Sequence, residues 1–230
     1  MTSLRGKAAL VTGASRGIGL AIARALAKKG VRLALLSRTK PPRGTRGEFT
    51  PCDLANLAEI PVAVAHAVQY LGGCDFLINN AGLFLEKPSG EMSVADWERV
   101  LRVNLTAPFV LCRELLPHLR ANGGGRIVNI ASTASVQGYQ HQAAYCASKH
   151  GLLGFARSLA LETKRDDIHI YNVCPGGVDT DLIRGTELAA RLKGQPMIRP
   201  ADIAELVVFL LKQPTNIDVP ELVVRRFSPK

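Results

Sequence analysis

The sequence predicts an α/β fold in which a doubly wound, parallel, seven-stranded sheet carries helices on both faces. Three observations predict it. Short apolar runs alternate with amphipathic segments along nearly all of the 230 residues. A glycine-rich turn leads from the first apolar run directly into the first amphipathic segment. No internal repeat and no second composition regime interrupts the alternation, so we expect one domain over residues 1–230.

The apolar runs predict buried strands near residues 7–11, 32–37, 48–52, 75–79, 126–130, 169–174 and 219–224. Segments with helical periodicity predict helices near residues 17–29, 55–71, 93–120, 142–163 and 201–212. One connection is irregular, because only ten residues separate Ser37 from Glu48 and they include two prolines and two glycines. A crossover helix does not fit there, so we expect a shortened, loop-like connection between the second and third strands.

The segment Thr12-Gly-Ala-Ser-Arg-Gly-Ile-Gly19 follows the first strand and opens the first helix. Its three glycines permit a tight turn and let backbone amides approach a ligand closely. The helix N-terminus adds unpaired N–H groups and a positive dipole end, which together predict a pyrophosphate site. The spacing differs from the Gly-x-Gly-x-x-Gly fingerprint, and a glycine-rich turn can also be purely structural.

Tyr145 and Lys149 are four residues apart in a predicted helix, so the phenol and the ammonium lie on one face. A fixed cation favours the phenolate, and we therefore expect Lys149 to lower the pKa of Tyr145 and make it a proton donor. Ser132 ends the preceding buried strand, where its hydroxyl could hold a substrate oxygen. Tyr-x-x-x-Lys alone also occurs by chance in helices.

Taken together, these motifs resemble those of the short-chain dehydrogenase/reductase family, and the match covers nearly the whole chain. Asn-Asn-Ala-Gly at 79–82 and Pro-Gly-x-Val-x-Thr at 175–180 stand in the family's order and spacing. The resemblance implies a Rossmann-type, dinucleotide-binding catalytic domain that interconverts a carbonyl and a secondary alcohol. The catalytic residues it implies are Asn104, Ser132, Tyr145 and Lys149.

The cofactor is expected to be NADP(H). Ser37 stands where an acid would bind the ribose 2′-hydroxyl of NAD, and Arg38 and Arg16 can reach a 2′-phosphate instead, although an arginine can also merely stack on adenine. The turn and the resemblance imply the following cofactor-binding residues: Gly13, Ser15, Arg16, Gly17, Ile18, Gly19, Arg38, Asp53, Leu54, Asn80, Ala81, Gly82, Tyr145, Lys149, Pro175, Gly176, Val178 and Thr180.

Pro108 lies inside the predicted helix at 93–120 and has no N–H to donate to the carbonyl of Asn104. We expect a kink there and a free carbonyl oxygen. The resemblance implies that this oxygen holds a water leading to Lys149. A tolerated proline kink filled by solvent is the alternative.

Composition excludes several classes of protein. The net charge of +10 would suit an anionic partner, but no recognition motif or aromatic-interleaved basic stripe supports nucleic acid, and an anionic cofactor explains the charge better. Neither a membrane helix nor a signal peptide is predicted, which points to the cytoplasm. The five cysteines resemble buried hydrophobes, and the histidines have no zinc-ligand spacing, so we predict no metal.

The substrate is expected to be a small-molecule ketone or 3-hydroxy acid, because the C-terminal segment from Asn216 resembles that of 3-hydroxy acid dehydrogenases. A 3-oxoacyl-carrier-protein or acyl-CoA reductase is the alternative, and a non-catalytic NADP(H)-binding regulator is an alternative from another class. Apolar residues on several faces of helices 93–120 and 142–163 predict a homodimer or homotetramer. Coverage of these faces by the 181–198 segment would leave a monomer.

Overall fold

The computed structural model describes residues 2–227. Its strands are β1 Ala8–Thr12, β2 Arg32–Ser37, β3 Glu48–Pro51, β4 Phe76–Asn79, β5 Gly125–Ile130, β6 Ile168–Pro175 and β7 Glu221–Val224. Its α-helices are α1 Gly17–Lys28, α2 Glu59–Leu71, α3 Val94–Leu101, α4 Ala107–Ala121, α5 Ala143–Thr163, α6 Glu187–Arg191 and α7 Pro200–Leu211. The strands form one parallel sheet in the order β3-β2-β1-β4-β5-β6-β7, which confirms the predicted fold class.

Helices cover both faces of the sheet because successive side chains of each strand point to opposite sides. Leu10 of β1 packs with α2, α4 and α5, whereas Val11 packs with α1 and α7 on the other face. The strands are therefore almost continuously apolar. All the strands run the same way, so their carboxyl ends meet at one edge, where a doubly wound sheet binds ligands.

Two of the predicted helices differ from the structure, one because it is interrupted and one because it begins four residues later. The predicted helix at 93–120 is α3 and α4 joined by a π-helical turn at Arg102–Thr106. The irregularity thus precedes Pro108 and takes the form of a widened turn, because the missing N–H of Pro108 removes the bond to Asn104. Helix α2 begins at Glu59 instead of residue 55, since Asp53 binds the amide of Ala55 through its side chain and forms a turn.

The shortened connection between β2 and β3 is present, since residues 38–47 are all described and contain no helix. Gly47 has a φ of +131°, and a β-carbon there would lie 2.9 Å from Cβ of Leu33. The chain therefore passes directly against β2 at this point. None of the helices in residues 2–227 is long and apolar enough to cross a membrane.

A row of asparagines crosses the centre of the sheet, where residues 79, 129 and 172 pair in register on β4, β5 and β6. Nδ2 of Asn79 donates to Asn129 at 2.9 Å, and Nδ2 of Asn129 donates to Asn172 at 2.9 Å. Asn172 then donates to the carbonyl of Pro220 at 3.0 Å, just before β7. Since buried amides need partners, the row fixes the relative register of four strands.

Candidate active site

The turn after β1 is closely packed against the end of β4. Gly13 has a φ of +66°, and a β-carbon there would lie 2.8 Å from Nδ2 of Asn80. A β-carbon at Gly19 would collide with the same nitrogen and with the carbonyl of Gly13. Glycine is therefore required at both positions for α1 to approach the strand ends this closely.

The first turn of α1 is suited to an anion. Arg16, the residue before the helix, has an extended backbone, and its side chain caps none of the helix amides. Within the described chain, this first turn also contains no acidic residue. The unpaired N–H groups and the positive dipole end thus face the carboxyl edge of the sheet, as a pyrophosphate site requires.

A cavity of about 860 Å³ runs along this edge and contains nearly all of the predicted site residues in its lining. Ser132, Tyr145 and Lys149 line it together with the glycine-rich turn, the segment 80–82 and the residues Pro175, Gly176, Val178 and Thr180. Asp53 and Leu54 line its end near β2 and β3. A cavity of this size and polarity accommodates a dinucleotide together with a small substrate.

Two predicted residues lie behind the lining. Gly19 is buried in the contact between α1 and the turn after β1. Asn104 is fully buried in the π-helical turn, where its Oδ1 accepts from the amide of Leu83 at 2.7 Å. Its Nδ2 donates to Oγ of Ser148 at 3.0 Å, so the Asn104 side chain links the loop after β4 to α5.

Helix α5 presents Tyr145 and Lys149 to the cavity on one face, as their spacing predicts. Nζ of Lys149 donates to the carbonyl of Ile130 at 2.9 Å and lies 5.8 Å from the centroid of the Tyr145 ring. Phe84 packs edge-on against that ring with a centroid distance of 5.0 Å. Ser132 follows β5 and accepts from the amide of Ala134 at 3.1 Å, which fixes its hydroxyl.

The prediction that the pKa of Tyr145 is lowered is wrong, because the pKa is raised. Burial raises the pKa of Tyr145 to about 12, and the Ser132 hydroxyl opposes this rise. Burial also lowers the pKa of Lys149 from 10.5 to about 8. Desolvation is the largest cause of both shifts, because burial disfavours the charged form of each group. At neutral pH the site therefore contains a protonated phenol beside an ammonium.

Two arginines mark the end of the cavity near β2. Arg16 and Arg38 both line it with exposed side chains. Ser37, at the position of the missing acid, directs its hydroxyl to the carbonyl of Thr39 at 2.8 Å. The residues in this region fit a dinucleotide that carries an additional phosphate, because two guanidinium groups are available to bind it.

The segment 181–198 covers part of the cavity and contains α6. Glu86, whose side chain is 4% exposed, accepts from the amide of Leu188 at 2.8 Å and from Nη2 of Arg191 at 2.6 Å. At the other end of the segment 181–198, the amide of Ile198 donates to the carbonyl of Gly177 at 3.1 Å. Contacts with the loop after β4 and with the end of β6 thus hold this covering segment closed over the site.

Sequence reasoning missed several lining residues, among them Phe84, Tyr139, Gln142, Arg225 and Arg226. Tyr139 shares a hydrogen bond of 2.8 Å with Thr133, next to Ser132, and Gln142 is only 3% exposed. The adjacent arginines were visible as a charged pair, but nothing in the sequence related them to the cavity. In residues 2–227, His, Cys, Asp and Glu side chains form no group suited to a metal ion.

A parallel sheet with this turn, this cavity and this strand order defines a nucleotide-binding protein of the Rossmann type. The model of the short chain dehydrogenase family matches residues 7–190, and the chain belongs to that family. It is therefore an oxidoreductase acting between CH–OH and C=O groups, with a nucleotide cofactor and a small-molecule substrate.

Three similar proteins illustrate the relationship. A putative ketoacyl reductase of Streptomyces coelicolor is 34% identical over 92% of this chain and 92% of its own. A D-beta-hydroxybutyrate dehydrogenase of Cupriavidus necator is 34% identical over 93% of this chain and 85% of its own. Among solved structures, a metagenomic short-chain oxidoreductase in complex with NADP has a TM-score of 0.84 and 34% identity, covering 99% of this chain and 100% of that one.

The pKa of Lys149 predicts the pH dependence of carbonyl reduction. Since the ammonium is present below about pH 8 and lost above it, while Tyr145 stays protonated, the rate should fall as the pH rises through 8. The measurement is the rate at saturating reduced cofactor on both sides of pH 8, with cofactor affinity determined at each pH as the control. A rate that stays flat well above pH 8 contradicts a role for the lysine charge.

Proposed function

We propose that the protein is an NADP(H)-dependent oxidoreductase that interconverts a ketone and a secondary alcohol, with a small ketone or a 3-hydroxy acid as its substrate. One observation supports this most strongly. Ser132, Tyr145 and Lys149 line the same cavity as Arg16 and Arg38, so the proton-donating groups and the cations for an additional phosphate share one site. A regulator that binds the cofactor without turnover does not require Ser132, Tyr145 and Lys149.

In the proposed reduction, Ser132 and Tyr145 hold the carbonyl oxygen of the substrate, and Tyr145 donates its phenolic proton to that oxygen. NADPH, when bound, supplies the hydride to the carbonyl carbon. The Lys149 ammonium stabilises the phenolate left on Tyr145 and binds the nicotinamide ribose. The reverse reaction oxidises the alcohol, and the Tyr145 phenolate then accepts the proton.

Asn104 has a positioning role in this proposal. Its side chain is fully occupied by Leu83 and Ser148, so only its backbone carbonyl is available to hold a water that leads to Lys149. The π-helical turn at Arg102–Thr106 and the missing N–H of Pro108 leave that carbonyl without its helical partner. A water there would return the proton to Tyr145 through Lys149.

A 3-oxoacyl thioester is the second candidate substrate, because the Streptomyces coelicolor relative is named a ketoacyl reductase. The C-terminal segment from Asn216 supports the small substrates, because it resembles that of 3-hydroxy acid dehydrogenases. NADPH consumption with a panel of ketones, free 3-oxo acids, 3-oxo esters and 3-oxoacyl thioesters tests the two candidates. The class with the highest kcat/KM identifies the substrate, and no consumption with any member would refute the proposed function.

The cofactor preference predicts a reversal by charge. NADPH should bind more tightly than NADH, and Arg38→Asp should reverse that order, because it removes a charge-assisted hydrogen bond worth about 10- to 100-fold and adds repulsion. Dissociation constants for both cofactors, obtained from fluorescence titration, measure this. Arg43→Asp is the matched control, since Arg43 is exposed in the same connection outside the cavity lining. Equal affinities for NADPH and NADH in the unmutated protein would contradict the proposed preference for NADPH.

Tyr145→Phe keeps the ring and removes the proposed proton donor. Turnover should fall by about 10²- to 10⁴-fold, the usual cost of losing a general acid, while NADPH affinity stays nearly unchanged. Stopped-flow single-turnover rates and a cofactor titration give the two quantities. Tyr70→Phe, which removes an exposed hydroxyl on α2, serves as the control. Retained turnover would mean that Tyr145 is structural.

The apolar surface that α4 and α5 leave exposed for oligomerisation is smaller than the sequence predicts. Val110, Leu111, Leu152, Leu153 and Leu159 are buried within the chain itself. The exposed apolar surface of α4 and α5 is centred on Phe109, which is 45% exposed. Its ring packs edge-on against that of Phe155, with 5.8 Å between the ring centroids. Leu161, further along α5, is 79% exposed. We propose that these two helices pair with their copies in a homodimer, which can assemble further into a tetramer.

Light scattering at micromolar concentration should give a mass of at least twice 24.7 kDa. Phe109→Glu should shift the mass toward the monomer, because it places a charge in the proposed apolar contact. Val62→Glu is the control, since Val62 is also an exposed apolar residue but belongs to α2. A monomer mass for the unmutated protein would contradict the proposal.

A further inference from the structure

The chain that follows β7 lines the cavity together with Ser132, which is proposed to bind the substrate carbonyl. The amide of Gly176, at the end of β6, donates to the carbonyl of Val224 at 2.8 Å. A β-carbon at Gly176 would lie 3.9 Å from Cα of Arg225 and 3.8 Å from Cγ2 of Thr133. Thr133 directly follows Ser132, so Gly176 alone lies between the backbone of Arg225 and the residue beside the proposed carbonyl-binding hydroxyl.

Arg226 is held in place by uncharged groups. Its Nη1 donates to Oε1 of Gln195 at 2.8 Å and contacts Sδ of Met197 at 3.9 Å, both in the segment that covers the cavity. Gly177 leaves room for this side chain, because a β-carbon there would lie 3.2 Å from its Nε. The guanidinium is therefore positioned, but its charge is not neutralised.

No carboxylate among residues 2–227 balances the charge at this end. The acidic side chains that line the cavity are Asp53 and Asp181. Asp53 lies at the opposite end, beyond β3, and Asp181 forms an ion pair with Arg184. Arg225 has no salt-bridge partner in the described chain, and it lines the same cavity as Arg226. Arg225 is exposed and Arg226 is partly buried, so two cations without an acidic partner line one cavity and favour the binding of an anion.

We propose that Arg225 and Arg226 bind a carboxylate of the substrate, so that the protein acts on a short 3-oxo acid and the corresponding 3-hydroxy acid. This deepens the proposed function and depends on it. Because the backbone of Arg225 lies across Gly176 from Thr133, we expect the carboxylate to be only a few bonds from the carbonyl. Guanidinium groups match carboxylates geometrically, and partial enclosure strengthens the interaction. A neutral ketone of the same size leaves both charges without a partner.

The test compares 3-oxobutanoate, its methyl ester and 3-oxobutanoyl-CoA as substrates with NADPH. The acid should have the highest kcat/KM in the unmutated protein. Arg225→Gln and Arg226→Gln should each reduce kcat/KM for the acid by about 10- to 100-fold, mostly through KM, the usual cost of losing a hydrogen bond to a charged group. The value for the ester should change little. Arg165→Gln removes the same charge from an exposed site near the opposite edge of the sheet and should leave all three values unchanged.

A second readout separates carboxylate binding from folding and cofactor effects. Butanoate has the carboxylate without the carbonyl, and it should inhibit the unmutated protein competitively but inhibit both arginine variants much less. NADPH affinity should be unchanged in the variants, and Arg226→Lys should restore part of the preference for the acid. These results would support the proposal.

Other results would overturn it. Equal kcat/KM for acid and ester, equal loss of both in the arginine variants, or weakened NADPH binding would exclude a carboxylate site. Arginine dependence confined to the CoA thioester would assign the two residues to its phosphates. If no carbonyl compound is turned over, the proposed function itself is refuted. If only the ester is turned over, the proposed function is retained and only the carboxylate site is excluded.

Discussion

The close approach of α1 to the end of β4 is the constraint on which the site depends. Gly13 and Gly19 leave no space for a side chain, and Asn80 fills the contact by donating to the carbonyl of Thr12 at 2.9 Å. The Thr12 hydroxyl in turn accepts from the amide of Ala81 at 3.1 Å. This contact directs the N-terminus of α1 toward the cavity and fixes the start of the loop after β4.

The same contact extends to the residues proposed for proton transfer. The loop after β4 reaches Leu83, which exchanges two hydrogen bonds with the side chain of Asn104. Asn104 binds Ser148, and Ser148 donates to the carbonyl of Tyr145 at 2.7 Å. A series of hydrogen bonds therefore connects the anion-binding turn to the helix that carries the phenol. Its last two links, from Asn104 to Ser148 and from Ser148 to Tyr145, are buried, which helps to hold the two halves of the site at a fixed separation.

Local patterns in the sequence were sufficient to predict the strands, the shortened connection after β2 and the glycine-rich turn, because apolar runs and glycine spacing determine these features directly. Several other predicted lining residues, such as Asp53 and Leu54, came from the resemblance to the family. The spacing of Tyr145 and Lys149 predicted their shared face but not their burial, so the direction of the phenol pKa was wrong. Arg225 and Arg226 reach the cavity only because β7 pairs with β6, a contact between distant segments. The row of asparagines likewise depends on tertiary register.

Burial shifts the pKa of Tyr145 up to about 12 and that of Lys149 down to about 8, and both shifts are compatible with the proposed acid catalysis. Between neutrality and pH 8 the phenol retains its proton and the ammonium its charge, which is the state needed before proton donation. Donation creates a phenolate in a poorly solvated site, where the attraction to Lys149 is stronger than in water. In the proposed reduction, the environment that makes Tyr145 a weak acid before the reaction would therefore also strengthen the interaction that stabilises its anion after the carbonyl oxygen takes the proton.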